Sequence, residues 1–437
     1  MPDTTIAGLK ARRVWDSRGR PTIEAEVQLA CGALGRAIAP AGASRGSREA
    51  QDLRDGGKTL GGFGVTRAVE NVNGEIARAL AGHDALDQSA IDRTLIALDA
   101  TPTKSRLGGN ALVAVSMAVL QAAAHAIGEP LHRYLAAGQP VRIPLPEIQI
   151  FGGGAHAGRR VDVQDFMVMA LGAASFDEAL VMTAEVYQAA GKLMAERGLL
   201  QGVADEGGFW PAFTSNEEAL EMLVRAIERS GYTAGTEIAI SLDIAASEFR
   251  RNGRYRFGLE SRDFDSDGLA EVLIGWIDRY PIVSIEDPMA EDDAEGMTRF
   301  TAAVGERVQI IGDDFLVTNA ALVEQAAAQG ACNAVLIKPN QAGTMTETKA
   351  ALDAGRRAGF GTIVSARSGE TEDVTIAHLA VGWNAGQLKV GSFARSERMA
   401  KWNEMLRIEE ALGHTARFAG RDALPMRPHG PGTSPPA

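Results

Sequence analysis

Six times in the second half of the chain, a short, apolar, β-branched run ends in a polar or charged residue and gives way to an Ala-rich segment. The runs are EIAISLD to Asp243, PIVSIED with Glu286, VQIIGDD with Asp313, NAVLIK to Lys338, GTIVSARS to Ser368 and QLKVGS around Lys389. Most intervening segments have room for one crossover helix, the pattern of successive βα units that build a parallel sheet. With earlier strands added, so many units suit a closed barrel better than an open sheet. A doubly wound open sheet would want a glycine fingerprint directly after its first strand, and none stands there. The expected class is α/β.

In a barrel, active sites form at the carboxyl ends of the strands. Asp243, Glu286 and Asp313 end successive runs, so three carboxylates would converge and repel unless something positive lies between them. Hard oxygen ligands from separate strands suit Mg²⁺. Any one of these acids taken alone reads as a cap for the following helix; three in register, followed by lysines in register, read as a metal site. Lys338 lies within LIKPN, where an unemployed charge would be costly. A metal and other cations nearby would depress its pKa and make it a base. The alternative is a buried lysine paired to one of the acids. Glu206, in ADEGGF, is a candidate acid on a mobile or closely packed loop, although such a sequence is also ordinary turn chemistry. His156 stands in FGGGAHA, a loop suited to cradling an anion, to hinge motion or to a plain turn.

The first third of the chain reads as mixed. PTIEAEVQLA alternates like a half-buried strand, ALGRAIAP could be its hairpin partner, and the small-residue loop AGASRGSREA follows. From Val65 to Gly128 the pattern is helical, and the segment 110–128 is apolar enough to be a buried helix. Gln121 and His125 interrupt it, which argues against a membrane span. Pro130, Pro140, Pro144 and Pro146 mark a boundary. The expected organisation is an α+β domain over 1–137, a barrel over 138–425 and a disordered Pro/Gly-rich tail over 426–437. With 437 residues, 45% of them hydrophobic, the chain can bury a large core. A net charge of −12 argues against nucleic acid or an anionic membrane as partner. It leaves room for a small anionic substrate at a locally basic or metal-bearing site. The two cysteines, Cys31 and Cys332, both in apolar sequence, make no disulfide framework and no zinc pattern. With no signal-peptide core at the N-terminus, they point to a reducing cytoplasm.

Several stretches carry a specific resemblance: LDATPTKSRLGGNA, VADEGGFWP, SLDIAASEF, SIEDPMAEDD, IGDDFLVTN, AVLIKPNQAGTMTET and SARSGETED. Together they resemble the enolase (phosphopyruvate hydratase) family, from VWDSRGRPTIEAEV to RSERMAKWNEMLRIEE. The resemblance implies an N-terminal α+β cap on a (β/α)8-type barrel whose second strand and helix run unusually. It implies two Mg²⁺ per site, one held by Asp243, Glu286 and Asp313 and one involving Ser44. It makes Lys338 the base that takes the α-proton, with Lys389 neutralising the dianionic intermediate. A Lys base working beside Mg²⁺ is the general superfamily pattern. Glu206 would protonate the departing hydroxyl, with His156 and Asp165 in the same catalytic group. Arg367 and Ser368 would hold the phosphoryl group, with Gln164 and Arg45 on the substrate side. A homodimer or larger homo-oligomer is implied as well.

The chain also departs from the family pattern. Ala366 replaces the His that precedes the Arg-Ser pair, and Asp165 replaces Glu in the QEF motif. The SGAST loop reads AGASR, with Ala41 and Arg45, and NGGSHA reads GGGAHA. Losing an imidazole and gaining a guanidinium would suit a bulkier or more anionic substrate, or another leaving group. Three functions follow as expectations. One is conversion of 2-phosphoglycerate to phosphoenolpyruvate. Another is a specialised paralogue similar to the carboxyphosphonoenolpyruvate synthases, joining an enolase-type substrate to an activated phosphonate. The third is a catalytically silent binding protein, against which the intact acids and Lys338 argue.

Overall fold

The computed structural model describes residues 2–425; the tail expected to be disordered, 426–437, lies outside the described residues. The chain begins with an antiparallel meander of β1 (Ile6–Trp15), β2 (Pro21–Leu29) and β3 (Leu34–Ile38). β2 is more buried than its alternating sequence suggests. It is the central strand, and Arg12 and Arg36 lie over Glu24 and Glu26 on one of its faces. Cys31 falls in the turn after β2 among exposed neighbours, so the expected apolar surroundings hold for Cys332 but not for Cys31. Helix Gly109–Ala126 packs on β2 and β3 and against the helices Gln88–Asp99 and Leu131–Ala136. It is long and apolar enough to cross a membrane, yet 83% of that stretch is buried inside the protein. Its apolar surface is used against its neighbours on several sides.

The rest of the chain closes into a barrel. β4 (Leu145–Gly152) and β5 (Asp165–Met169) come first. A short hairpin of β6 (Leu200–Val203) and β7 (Phe209–Pro211) pairs beside β4, and β8 (Ala239–Asp243) follows. β9 (Arg250–Arg251), β10 (Arg254–Phe257) and β11 (Arg262–Phe264) form a small separate sheet. The remaining staves are β12 (Ile282–Glu286), β13 (Gln309–Gly312), β14 (Ala334–Ile337), β15 (Gly361–Ser365) and β16 (Gly386–Gly391). The strand order is β4-β5-β8-β12-β13-β14-β15-β16, and β16 pairs back onto β4. Every neighbouring pair is parallel except the two made by β5. The connection from β4 to β5 carries only a short 3₁₀ turn, Gly154–Ala157, with no crossover helix, so β5 returns antiparallel. Two helices, Phe176–Glu196 and Asn216–Arg229, then precede β8. This is the unusual second strand that the resemblance implies. Its consequence is positional: Asp165, the first residue of β5, lies opposite Asp243, the last of β8, on the same rim.

The three strand-end acids do not cap helices. The helices Ala294–Val304 and Ala320–Gln329 are capped by Asp293 and Asn319, and the helix Ser266–Arg279 by Asp265. Asp243, Glu286 and Asp313 are therefore free for another task.

Candidate active site

Asp243 and Glu286 end neighbouring strands in register, and Asp313 and Lys338 follow β13 and β14 directly. Lys389, within β16, lies opposite Ser365 of β15. The geometry pairs acid with base. The Lys389 ammonium donates to Glu286 Oε2 at 2.8 Å and to Asp243 Oδ2 at 3.0 Å, and lies 3.4 Å from Asp165 Oδ2. Lys338 Nζ donates to Asp313 Oδ2, whose other oxygen accepts from Gln341 Nε2 at 2.8 Å. Gln164 Nε2 donates to Asp243 Oδ2 at 3.0 Å.

The two lysines offset part of the charge of these acids, and a divalent cation remains the expected complement for the rest. One expectation is corrected here: with Asp313 as its partner, Lys338 is not depressed. Burial pulls its pKa down, but the Asp313 carboxylate outweighs burial and holds the group above the ordinary lysine value. Lys389 is raised well above that value, burial again being outweighed by Asp243 and Glu286. The cost of this economy falls on Glu286, raised well above the usual carboxylate range by burial and then by Asp243.

Across the cavity the side chains come from loops. His156, on the Gly154–Ala157 turn, has Nδ1 3.2 Å from Asp165 Oδ1 and Nε2 3.0 Å from Ser368 Oγ. Glu206 Oε1 lies 3.9 Å from His156 Nε2. Burial opposes a charged imidazole, but Glu206 and Asp165 outweigh it and raise the His156 pKa. Burial, joined by the Asp165 charge, raises that of Glu206, which favours a carboxyl able to carry a proton. The DEGG loop is of the closely packed kind: Gly207 has φ of 92°, and a Cβ there would lie 2.3 Å from Ala394 O. Glu206 O also accepts from Ser392 N at 2.8 Å.

Arg367 and Ser368 follow β15. The Arg367 guanidinium faces the 41–49 loop, where Gly42 makes room: a Cβ there would lie 2.0 Å from Arg367 Nη2. Asp165, His156, Glu206, Ser44, Gln164, Asp243, Lys338, Ala366, Arg367, Ser368 and Lys389 all line one narrow cavity. Glu286 and Asp313 are absent from that lining because the two lysines cover them. Arg45 is the residue the structure does not bring in. It is exposed and lines a separate outer cavity of about 720 Å³, since the chain reverses sides between Ser44 and Arg45.

With this geometry in view, two family models account for the chain. The enolase N-terminal domain matches residues 6–135, and the enolase C-terminal TIM barrel domain matches residues 140–426. The chain belongs to the enolase family. Enolase-family domains with buried acidic clusters are the frame of a lyase-type, divalent-metal-binding enzyme. The acidic rim fits a hard cation, because Glu286 Oε1 and Gln164 Oε1 are buried without a protein partner and offer free oxygen lone pairs. Among the described residues, two groups of side chains have ligand atoms within 4.8 Å of one another: His156 with Asp165 and Glu206, and Asp287 with Asp313 and Asp314. In the second, Asp287 already accepts from the backbone N–H groups of Asp313 and Asp314 at 2.9 and 2.8 Å and shapes the loop.

Several supporting residues were not legible in the sequence. Gln149 donates to Asp165 and accepts from Gly208 N at 2.8 Å, tying the β5 acid to the Glu206 loop. Arg398, fully buried on helix Ser396–Leu412, donates to the carbonyls of Arg367, Ser368 and Val390. Lys401, on the same helix, lies 2.9 Å from Glu370 Oε2. Arg398 and Lys401 stand in RSERMAKW, where a buried cation on an apolar helix face was the available signal.

Proposed function

We propose that this enzyme removes the proton α to the carboxylate of 2-phosphoglycerate, or a close analogue, and eliminates to a phosphoenolpyruvate-type product. The observation that carries the reading is one cavity with the Lys338 and Lys389 ammoniums on one wall and the Glu206 carboxyl, its pKa raised, on another. Lys338 Nζ is the base: once Asp313 is drawn to a cation, the ammonium gives up a proton to solvent, and the neutral amine then takes the α-proton while the electron pair left behind moves towards the carboxylate. Lys389 offers positive charge to the oxygens that become more negative. Glu206 gives its proton to the β-hydroxyl as the C–O bond breaks, so the group leaves as water. His156 holds Glu206 and Ser368 in one network, and Arg367 with Ser368 binds the phosphoryl group. Asp243, Glu286 and Asp313 would hold one Mg²⁺ and Ser44 would contribute to a second, supplying charge that makes the weakly acidic α-proton removable. Recruiting Asp313 to a cation also loosens its grip on Lys338, the direction a base requires.

A specialised reading is favoured by Ala366, which lines the same cavity and brings no proton donor where the family pattern has His. A substrate with a bulkier or more anionic group, such as an activated phosphonate, suits that opened space. One assay tests both readings. The protein is incubated with 2-phosphoglycerate and Mg²⁺, following enol absorbance in water and α-proton exchange in D₂O. Exchange with slow dehydration supports a specialised enolase, and full dehydration supports the plain one. No exchange at saturating substrate would sink the proton-abstraction mechanism.

A further inference from the structure

We propose that Glu49 is an internal anion that competes with the substrate's phosphoryl group for Arg367. The proposal rests on the reading of Arg367 as the anion ligand. Glu49 and Arg367 are 4% and 3% exposed. Glu49 Oε2 accepts from Arg367 Nη1 at 2.9 Å and Oε1 from Nη2 at 3.1 Å, the two-pronged geometry that a phosphoryl group would use. The same terminal nitrogens also donate to Asn340 Oδ1 at 3.2 Å and to Ser44 O at 3.0 Å. Ser368 Oγ is engaged in turn by His156 Nε2 and by Ala43 N at 3.2 Å. The groups meant to hold an external anion are thus occupied by a carboxylate, a carbonyl and an amide of the 43–49 loop.

Removing Glu49 without replacement would strand a buried guanidinium, which is strongly unfavourable. Exchange for an incoming dianion avoids that penalty, because one anion leaves as another arrives. The structure shows where the displaced carboxylate can go: Glu49 also lines the outer cavity of about 720 Å³, together with Arg45. Arg45, which does not reach the inner cavity, can receive the displaced Glu49 there. The consequence is a threshold. If Arg367 is free for only a fraction of the time, the apparent affinity of every anion falls by that fraction. Only an anion with high intrinsic affinity for Arg367 and Ser368, a phosphoryl or phosphonyl dianion, then loads at modest concentration.

The test is calorimetric titration of the Mg²⁺-supplemented protein with inorganic phosphate and, separately, formate. Glu49→Gln should bind both about 10-fold more tightly, since each loses the same competitor, while Glu49→Asp should stay near the wild type. Unchanged or weaker phosphate binding in a folded Glu49→Gln protein would overturn the proposal and make Glu49 a positioning partner of Arg367. Phosphate binding that survives Arg367→Met would overturn the assignment of Arg367 itself, and the competition with it. A second measurement covers the case in which Glu49→Gln fails to fold. Phosphate should accelerate tryptic cleavage of the wild type after the exposed Arg45 and Arg48 by releasing the loop; protection by phosphate would contradict release.

Discussion

Lys338 and Arg367 are both buried cations held by a carboxylate, and the two are held in different ways. The Lys338 partner, Asp313, lies 25 residues away, at the end of the preceding βα unit. The Arg367 partner, Glu49, lies 318 residues away on a loop of the N-terminal region. One side of the site is built by strand ends, whose spacing the barrel imposes. The other is built by loops brought together from distant sequence: 41–49, 154–165 and 204–208. Three departures from the family pattern, Ala41, Arg45 and Ala366, fall on or beside the loop-built side; the fourth, Asp165 at the head of β5, joins the two sides, lying 3.4 Å from Lys389 Nζ and 3.2 Å from His156 Nδ1, while Asp243, Glu286, Asp313 and both lysines are kept. Changing a loop residue is expected to alter what the site accepts. Changing a strand-end residue disturbs a charge balance in which each group depends on the next.

The largest effect should follow from breaking the strand-built side. Lys338→Ala should slow α-proton exchange by about 10²–10⁴-fold, the usual worth of a positioned base, while leaving divalent-ion binding measurable by calorimetry. Asp243→Ala should do the reverse first, weakening ion binding. If Lys338→Ala exchanges at the wild-type rate, the base is elsewhere and the two sides are not divided by task.

A smaller effect should follow from restoring the loop-built side. Ala366→His returns an imidazole to the cavity that also holds Glu206 and His156. Dehydration of 2-phosphoglycerate should rise by up to about 10²-fold, with exchange changed far less, because only the proton-donating half gains a group. Equal gains in exchange and dehydration would show that the two sides act as one unit, and no gain would leave Ala366 unexplained.

The same division decides what was legible in the sequence. The barrel could be read because strand-end residues recur with the βα period, and Asp243, Glu286, Asp313, Lys338 and Lys389 all stand on that period. Their roles as ion pairs could not, since a one-dimensional pattern shows which residues share a rim but not which touch. Hence the expected depression of Lys338 was reversed by Asp313. Glu49, Gln149 and Arg398 were passed over because their partners lie in other elements, and only closure of the fold brings them together. Arg45 lines the outer cavity and Ser44 the inner one for a related reason: neighbours on an irregular loop can face opposite sides.

The smallest effect concerns a group on neither side, and it matters for reading any pH profile of the other two. His132, on helix Leu131–Ala136, is buried without a partner for either ring nitrogen and stacks on His378, with ring centroids 5.6 Å apart. Glu404 Oε1 lies 3.3 Å from His378 Nε2. Burial, with the neighbouring His378, lowers the His132 pKa from 6.5 to about 4. The depressed value means that the folded protein binds this proton less readily than the unfolded chain. The associated stability is therefore complete above pH 6.5 and is lost as pH falls from there towards 4. The melting temperature should drop between pH 7 and pH 5, and His132→Leu should remove about 2 °C of that drop. Activity at pH 7 should stay unchanged in this variant, because the residue touches nothing in the cavity. If the drop persists in full, acid sensitivity originates in the ion pairs of the site, and a fall in exchange rate below pH 6 would report those pairs directly.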